Sequence, residues 1–130
     1  MVHYRPVTLE DYQQVKDLLE ACGIEGMQAE ESRLRRMIDN ADRTVGAFHD
    51  DRLVGFARAL CDEAFSGYIG TVCVHPDYRG QGIGTEMVNQ LTEDSPEITW
   101  AVRAVQDSAP FWERHGFTRS LVGMEKLRER

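Results

Sequence analysis

The sequence predicts a single domain of the mixed α/β (α+β) class, and three observations predict it. Apolar residues recur at three- and four-residue spacing in separate stretches, β-rich stretches lie between them, and one of these runs directly into a glycine-rich turn that opens a helix. The 130 residues are of one-domain size, and 42% hydrophobic with 28% charged residues matches an ordinary globular chain. The longest stretch free of Asp, Glu, Lys and Arg, Ala64 to Pro76, falls short of the ~18 apolar residues a spanning helix needs, so no membrane partner is expected. Met1 to Arg5 lacks the basic start and apolar run of a secretory signal, and a cytoplasmic location is the expectation.

Tyr4 to Val7 reads as a first strand. It ends at Thr8, which has Asp11 three positions on in capping-box spacing. Leu9, Tyr12, Val15, Leu18 and Leu19 then form one helical face, closed at Gly23. After a loop from Gly23 to Gln28, Leu34, Met37, Ile38 and Ala41 share the face of a second helix. Thr44 to Phe48 and Leu53 to Leu60 read as a hairpin turned through His49-Asp50-Asp51-Arg52. Gly67 to Val74, nearly uncharged, reads as a central strand covered on both faces and stopped at His75-Pro76. Ile83, Met87, Val88 and Leu91 form the next helix face, and Ile98 to Ala104 alternate as a strand. Asp107 or Ser108 caps a short helix ended by Gly116, and Phe117 to Leu127 is strand-like, with a frayed tail beyond.

Fifteen Lys+Arg against 22 Asp+Glu give a net charge of −7, which disfavours nucleic-acid partners and favours small cationic ones. Cys22, Cys61 and Cys73 contain no Cys-x-x-Cys pair and read as reduced thiols. His3, His49 and His75 stand apart without ligand spacing, so no metal is predicted. The chemistry-bearing unit is the strand, glycine loop and helix around residues 67–91, because backbone N–H groups at a helix start form a site for phosphates. The dinucleotide pattern fails at Thr85, and no Gly-Lys-Ser/Thr of a P-loop follows.

Val72-Cys73-Val74-His75-Pro76-Asp77-Tyr78-Arg79-Gly80-Gln81-Gly82-Ile83-Gly84 resembles the V-x-V-x-P-x-Y-[RQ]-G-x-G-x-G signature of the GNAT superfamily of N-acetyltransferases. Phe111-Trp112-Glu113-Arg114-His115-Gly116-Phe117 resembles that family's F-Y-x-[KR]-x-G-F segment. Val54 to Ala59, with Asp62, Ala64 and Phe65, is similar to short members such as the serotonin N-acetyltransferase-like enzymes. The resemblance implies a mixed central sheet splayed between strands four and five, flanked by about four helices, with acetyl-coenzyme A in the gap. It implies that the backbone of Val72, Cys73 and Val74 pairs with the pantetheine arm. Amides from Arg79, Gly80, Gln81, Gly82, Ile83, Gly84 and Thr85 would hold the pyrophosphate. An N–H near Cys73 would stabilise the oxyanion of acetyl transfer.

An alkylamine must lose a proton before it attacks, and the candidate bases are Asp62, Glu63 and Tyr68, the last aligned with a position where some members carry a glutamate. The family tyrosine that protonates the leaving thiolate is replaced by Trp112, which cannot serve as an acid and is expected to pack against the cofactor. Acceptor contacts are expected from the loop Gly23 to Gln28, from Asp62 to Phe65, and from last strands near Val122 to Met124. The leading expectation is acetyl transfer from acetyl-coenzyme A to the primary amine of a small molecule. The alternatives are acetylation of a protein lysine or N-terminus and a non-catalytic acyl-coenzyme A-binding module. Proteins of this resemblance are frequently homodimers.

Overall fold

The structure is a computed structural model, and it describes all residues except Glu25, 27–29, Asp94, Gln106 and Arg130. A five-stranded sheet of order β1-β2-β3-β4-β5 comprises β1 (Val2–Arg5), β2 (Arg43–His49), β3 (Arg52–Cys61), β4 (Ser66–Val74) and β5 (Thr99–Val102). Its first four strands are antiparallel and β5 runs parallel to β4. The helices are α1 (Tyr12–Ala21), α2 (Glu31–Asn40), α3 (Ile83–Thr92) and α4 (Ala109–Arg114). Among the described residues, no helix is long and apolar enough to cross a membrane.

The first strand lies two residues earlier than the sequence pattern predicts, because Pro6 has no N–H for the ladder. Val7 instead turns into the core, its N–H donating to Thr44 Oγ1 at 2.8 Å. The capping box forms as expected: Thr8 N–H donates to Asp11 Oδ2 at 3.0 Å, and Thr8 Oγ1 accepts from Glu10 N–H at 3.3 Å. At the other end of α1, Gly23 takes a φ of 74° while Ile24 N–H reaches back to Leu19 C=O at 3.0 Å, the hydrogen-bond pattern of a left-handed helix stop. The hairpin turn is the pair Asp50-Asp51, both at positive φ (50° and 67°), which suits the right-handed twist of the two strands.

Two apolar layers enclose the sheet. On one face Val15, Leu18, Leu19, Leu34 and Ile38 of α1 and α2 pack on Phe48, Leu53, Phe56 and Cys73. On the other, Ile83, Met87, Val88 and Leu91 of α3 and Trp112 of α4 pack on Val45, Val54, Ala57, Ala59 and Ile69. β4 alternates rather than being covered evenly: Ile69, Thr71 and Cys73 are buried and the residues between them only partly. β5 is shorter than predicted, since its pairing ends at Val102 and Ala104 lies in the following loop. The strand expected over Phe117 to Leu127 does not form. Leu121 and Val122 are adjacent and so break the alternation, Gly123 interrupts the run, and the segment finds no strand partner among the described residues. Leu121, Val122 and Met124 are exposed.

Candidate active site

The sheet opens where β4 gains one residue. Arg58 pairs with Thr71 and Ala59 with Ile69, so Gly70 is a bulge facing a single step of β3. The β4–β5 ladder covers only Ser66–Ile69 against Thr99–Val102 and stops at the same place. A bulge bends its strand, and from Gly70 to Val74 the β5 side of β4 has no strand partner among the described residues. Main-chain groups alternate along a strand, and His75 N–H donates to Val54 C=O at 2.8 Å, so Cys73, against the expectation, turns its main chain to Phe56 of β3 while Val72 and Val74 turn theirs to this open edge, which can hydrogen-bond an extended ligand as another strand would.

The edge leads into the glycine loop. A 3₁₀ turn over Pro76–Tyr78 is capped by His75 Nδ1, which accepts from Asp77 N–H at 3.1 Å. Arg79 Nε donates back to Val74 C=O at 3.0 Å, tying the loop to the strand end. Gly82 starts α3 with φ 82°, and an added Cβ there would meet nothing within 4 Å, so the approach to its backbone is open. The first intrahelical bond is Glu86 N–H to Gly82 C=O at 3.0 Å, so the amides of Ile83, Gly84 and Thr85 lack helical acceptors and stand at the positive end of the helix. Ile83 is buried and anchors this turn, whereas Arg79, Gly80, Gln81, Gly82 and Thr85 are exposed.

Trp112 is buried, with its ring 5.0 Å from Phe111 and 5.3 Å from Phe117, and it lines a cavity of about 690 Å³ against β5 together with Trp100 and Val102. Phe111 packs against the last glycine of the loop: a Cβ on Gly84 would lie 3.5 Å from its Cε1. Phe111 also packs against the core layer of α3 and α4. Its proximity to Gly84 depends on how α4 meets α3, which the local pattern does not encode.

Of the three candidate bases, only Tyr68 lines the cavity at the mouth of the split, a space of about 430 Å³ bounded by α2, β3 and β4. Asp62 Oδ1 instead accepts from the N–H groups of Ala64, Phe65 and Ser66 at 2.8, 2.8 and 3.0 Å, and these bonds hold its carboxyl below the usual range. Glu63 chelates Arg43 at 2.6 and 3.1 Å, which, with the Cys61 thiol, lowers it to about 2. Both carboxylates fix the β3–β4 turn. The expected acceptor wall also changes: Val122 to Met124 form no strand, and Arg128 of the same segment reaches the cavity. Gly26 lines it too, while Gln28 lies outside the described residues. A cavity of about 910 Å³ between residues 6–10, the end of α2, the start of β2 and α3 is larger, but it touches neither the split nor the glycine loop.

Arg58 was not singled out by sequence reasoning, although a cation inside the apolar run Leu53 to Leu60 was a visible signal. Its Nε donates to Thr71 Oγ1 at 3.0 Å, and a Cβ on Gly70 would stand 2.7 to 2.9 Å from Cζ, Nη1 and Nη2. Gly70 therefore admits the guanidinium as well as the bulge. On the same face of β4, Cys22 donates its thiol to Val74 C=O at 3.4 Å. Cys73 and then Arg79 hold Cys22 below the ordinary thiol range, while its neighbour and burial push Cys73 up. Among the described residues, no cluster of three or more His, Cys, Asp or Glu is placed to hold a metal ion.

A sheet opened at its parallel pair, with unpaired main chain on one lip and a glycine loop at the end of that lip, defines a protein built to hold an extended, phosphate-bearing ligand through its backbone. The chain belongs to the acetyltransferase (GNAT) family, whose model matches residues 12–117. It is 35% identical over 81 residues to the uncharacterised N-acetyltransferase ycf52 of Pyropia yezoensis, covering 60% of this chain and 47% of that protein. To ycf52 of Porphyra purpurea it is 38% identical over 79 residues, covering 58% and 45%. The chain thus matches about half the length of these curated relatives. A predicted acetyltransferase of Clostridium acetobutylicum, crystallised with acetyl-coenzyme A, has the same fold, with a TM-score of 0.76 at 22% identity over 98% of this chain and 96% of that one.

Proposed function

We propose that this chain transfers an acetyl group from acetyl-coenzyme A to the primary amine of a small molecule by direct attack on the thioester. The observation that carries the reading is the continuity of three features: the open edge of β4 from Gly70, the glycine loop at one end of that edge, and the cavity at the other. Main-chain groups of Val72 and the N–H of Val74 pair with the pantetheine arm, those of Cys73 being used by β3, and the amides from Arg79 to Thr85 hold the pyrophosphate. A main-chain N–H near Cys73 donates to the thioester carbonyl as negative charge develops on its oxygen.

The acceptor enters through the cavity lined by Tyr68. Its nitrogen loses a proton to water at the cavity, with the Tyr68 hydroxyl as the relay, and forms the C–N bond as the C–S bond breaks. Trp112 supplies no proton, so the thiolate leaves as the anion. That departure is workable because a thiol of this kind has a pKa near ~8.5. General acid catalysis contributes typically ~10²- to 10⁴-fold, so its loss slows the step without stopping it. The test is thiol release from acetyl-coenzyme A at pH ~8 with a panel of arylalkylamines, polyamines, aminosugars, amino acids and Lys-containing peptides. Saturable release that depends on a small amine is expected. Release with peptides alone would overturn the small-molecule reading, and tight cofactor binding without release from any acceptor would overturn transfer itself.

A further inference from the structure

The cavity at the split has a charge opposite to that of the chain. The sequence carries a net −7, yet among the described residues the cavity is lined by Arg33, Arg58, Arg103 and Arg128 against one carboxylate, Glu30. Two of these cations are neutralised: Arg33 donates to Glu30 at 2.9 Å, and Arg103 to Glu125 at 3.0 Å. Arg128 is on the exposed rim. Arg58 is half-buried on β3, and among the described residues it has no carboxylate partner. Its Nε is used by Thr71, itself buried, and its two terminal nitrogens lie over Gly70 without an acceptor among the described residues.

A partly desolvated cation without a counter-charge is costly to keep, and a site that keeps one commonly uses it on a ligand. Burial pulls Arg58 below the usual guanidinium range, with only the nearby Tyr68 opposing the shift. The guanidinium stands at the residue where β4 parts from β5, beside the path an acceptor takes to the thioester. A planar fork with two free nitrogens matches the two oxygens of a carboxylate. A phosphomonoester brings a further charge, and with Arg33 and Arg103 paired only Arg128, on the exposed rim, is left to meet it among the described residues.

We propose that Arg58 determines acceptor specificity and that the acceptor is a small amine that also carries a carboxylate, held by the two terminal guanidinium nitrogens. The inference rests on the transfer reading above and names its substrate class. The carboxylate is untouched in the reaction: the amine lone pair forms the amide bond, the thioester C–S bond breaks, the coenzyme A thiolate leaves, and the amine proton passes to solvent. Local charge here overrides the cationic preference that the net charge suggests.

The test uses amines in matched pairs: phenylalanine with phenethylamine, tryptophan with tryptamine, and lysine with 1,5-diaminopentane. Each is titrated calorimetrically into the protein saturated with coenzyme A, and thiol release is measured separately on the same compounds. In at least one pair the carboxylate-bearing member should bind about tenfold or more tightly than its partner. Arg58→Lys keeps the charge but not the fork, and should remove most of that advantage, its fold checked by thermal melting. The inference is overturned if no pair shows the preference, if no member binds, or if the preference survives Arg58→Lys. Release with decarboxylated amines alone would sink the inference and leave transfer standing. A binding preference without release from any amine would sink transfer and leave the role of Arg58 standing.

Discussion

Gly82 combines two demands in one residue: a backbone at φ 82° and free space above its amide. Gly82→Glu should weaken acetyl-coenzyme A binding at least tenfold, because a carboxylate placed there repels the pyrophosphate and fills its approach. Gly82→Ala separates this from backbone strain, since it carries the same left-handed cost of ~1 kcal/mol without the charge. Calorimetric titration should rank wild type, Ala and Glu in that order, and equal affinities for all three would remove the loop from the cofactor site. At this scale the loop glycines were legible in the sequence, because a positive φ and an open approach both select glycine. The fates of Asp62 and Glu63 were not. A turn carboxylate looks the same in sequence whether it faces a substrate or accepts three amides of its own turn.

At the scale of elements, the start of α1 couples helix capping to charge. Asp11 receives Thr8 N–H and a bidentate hydrogen bond from Arg5 at 2.9 and 3.0 Å, and the Arg5 hydrogen bond is the main cause of its lowered pKa. A carboxyl lowered by folding stabilises the protein above its unfolded value of about 3.9, and that contribution is lost as pH falls through the lower folded value. Arg5 is half-exposed, so solvent screening keeps the ion pair within ~1 kcal/mol. Asp11→Asn should lower the melting temperature by about 2–5 °C at pH 7. The difference from wild type should narrow below pH ~4, and an unchanged difference would assign the effect to packing. The capping box and the helix faces were legible because their partners lie within a turn of each other. The Gly70 bulge was not, since it exists only in the register of β4 against Arg58 and Ala59 of β3. The missing last strand is a different case: composition suggested a strand, but Leu121-Val122 breaks the alternation and Gly123 interrupts the run, so the segment leaves the outer edge of β5 unpaired among the described residues.

Across the whole molecule, the order of strands and helices was readable from periodicity, and the splayed sheet from the two motifs that resemble the GNAT family. The acceptor side was much less readable. Its cavity gathers Gly26, Arg33, Arg58, Tyr68, Arg103 and Arg128 from five separate stretches of chain, so its positive charge appears only after folding and is hidden within a net −7. The central claim is that the opened lip of β4 and the glycine loop together hold acetyl-coenzyme A through main-chain hydrogen bonds. Amide hydrogen–deuterium exchange with and without the cofactor tests it most directly, because those bonds protect the amides that make them. The account predicts new protection confined to peptides covering Gly70 to Val74 and Arg79 to Thr85, with the β2–β3 hairpin unchanged. Saturating cofactor that leaves both segments exchanging at their free rates would contradict it.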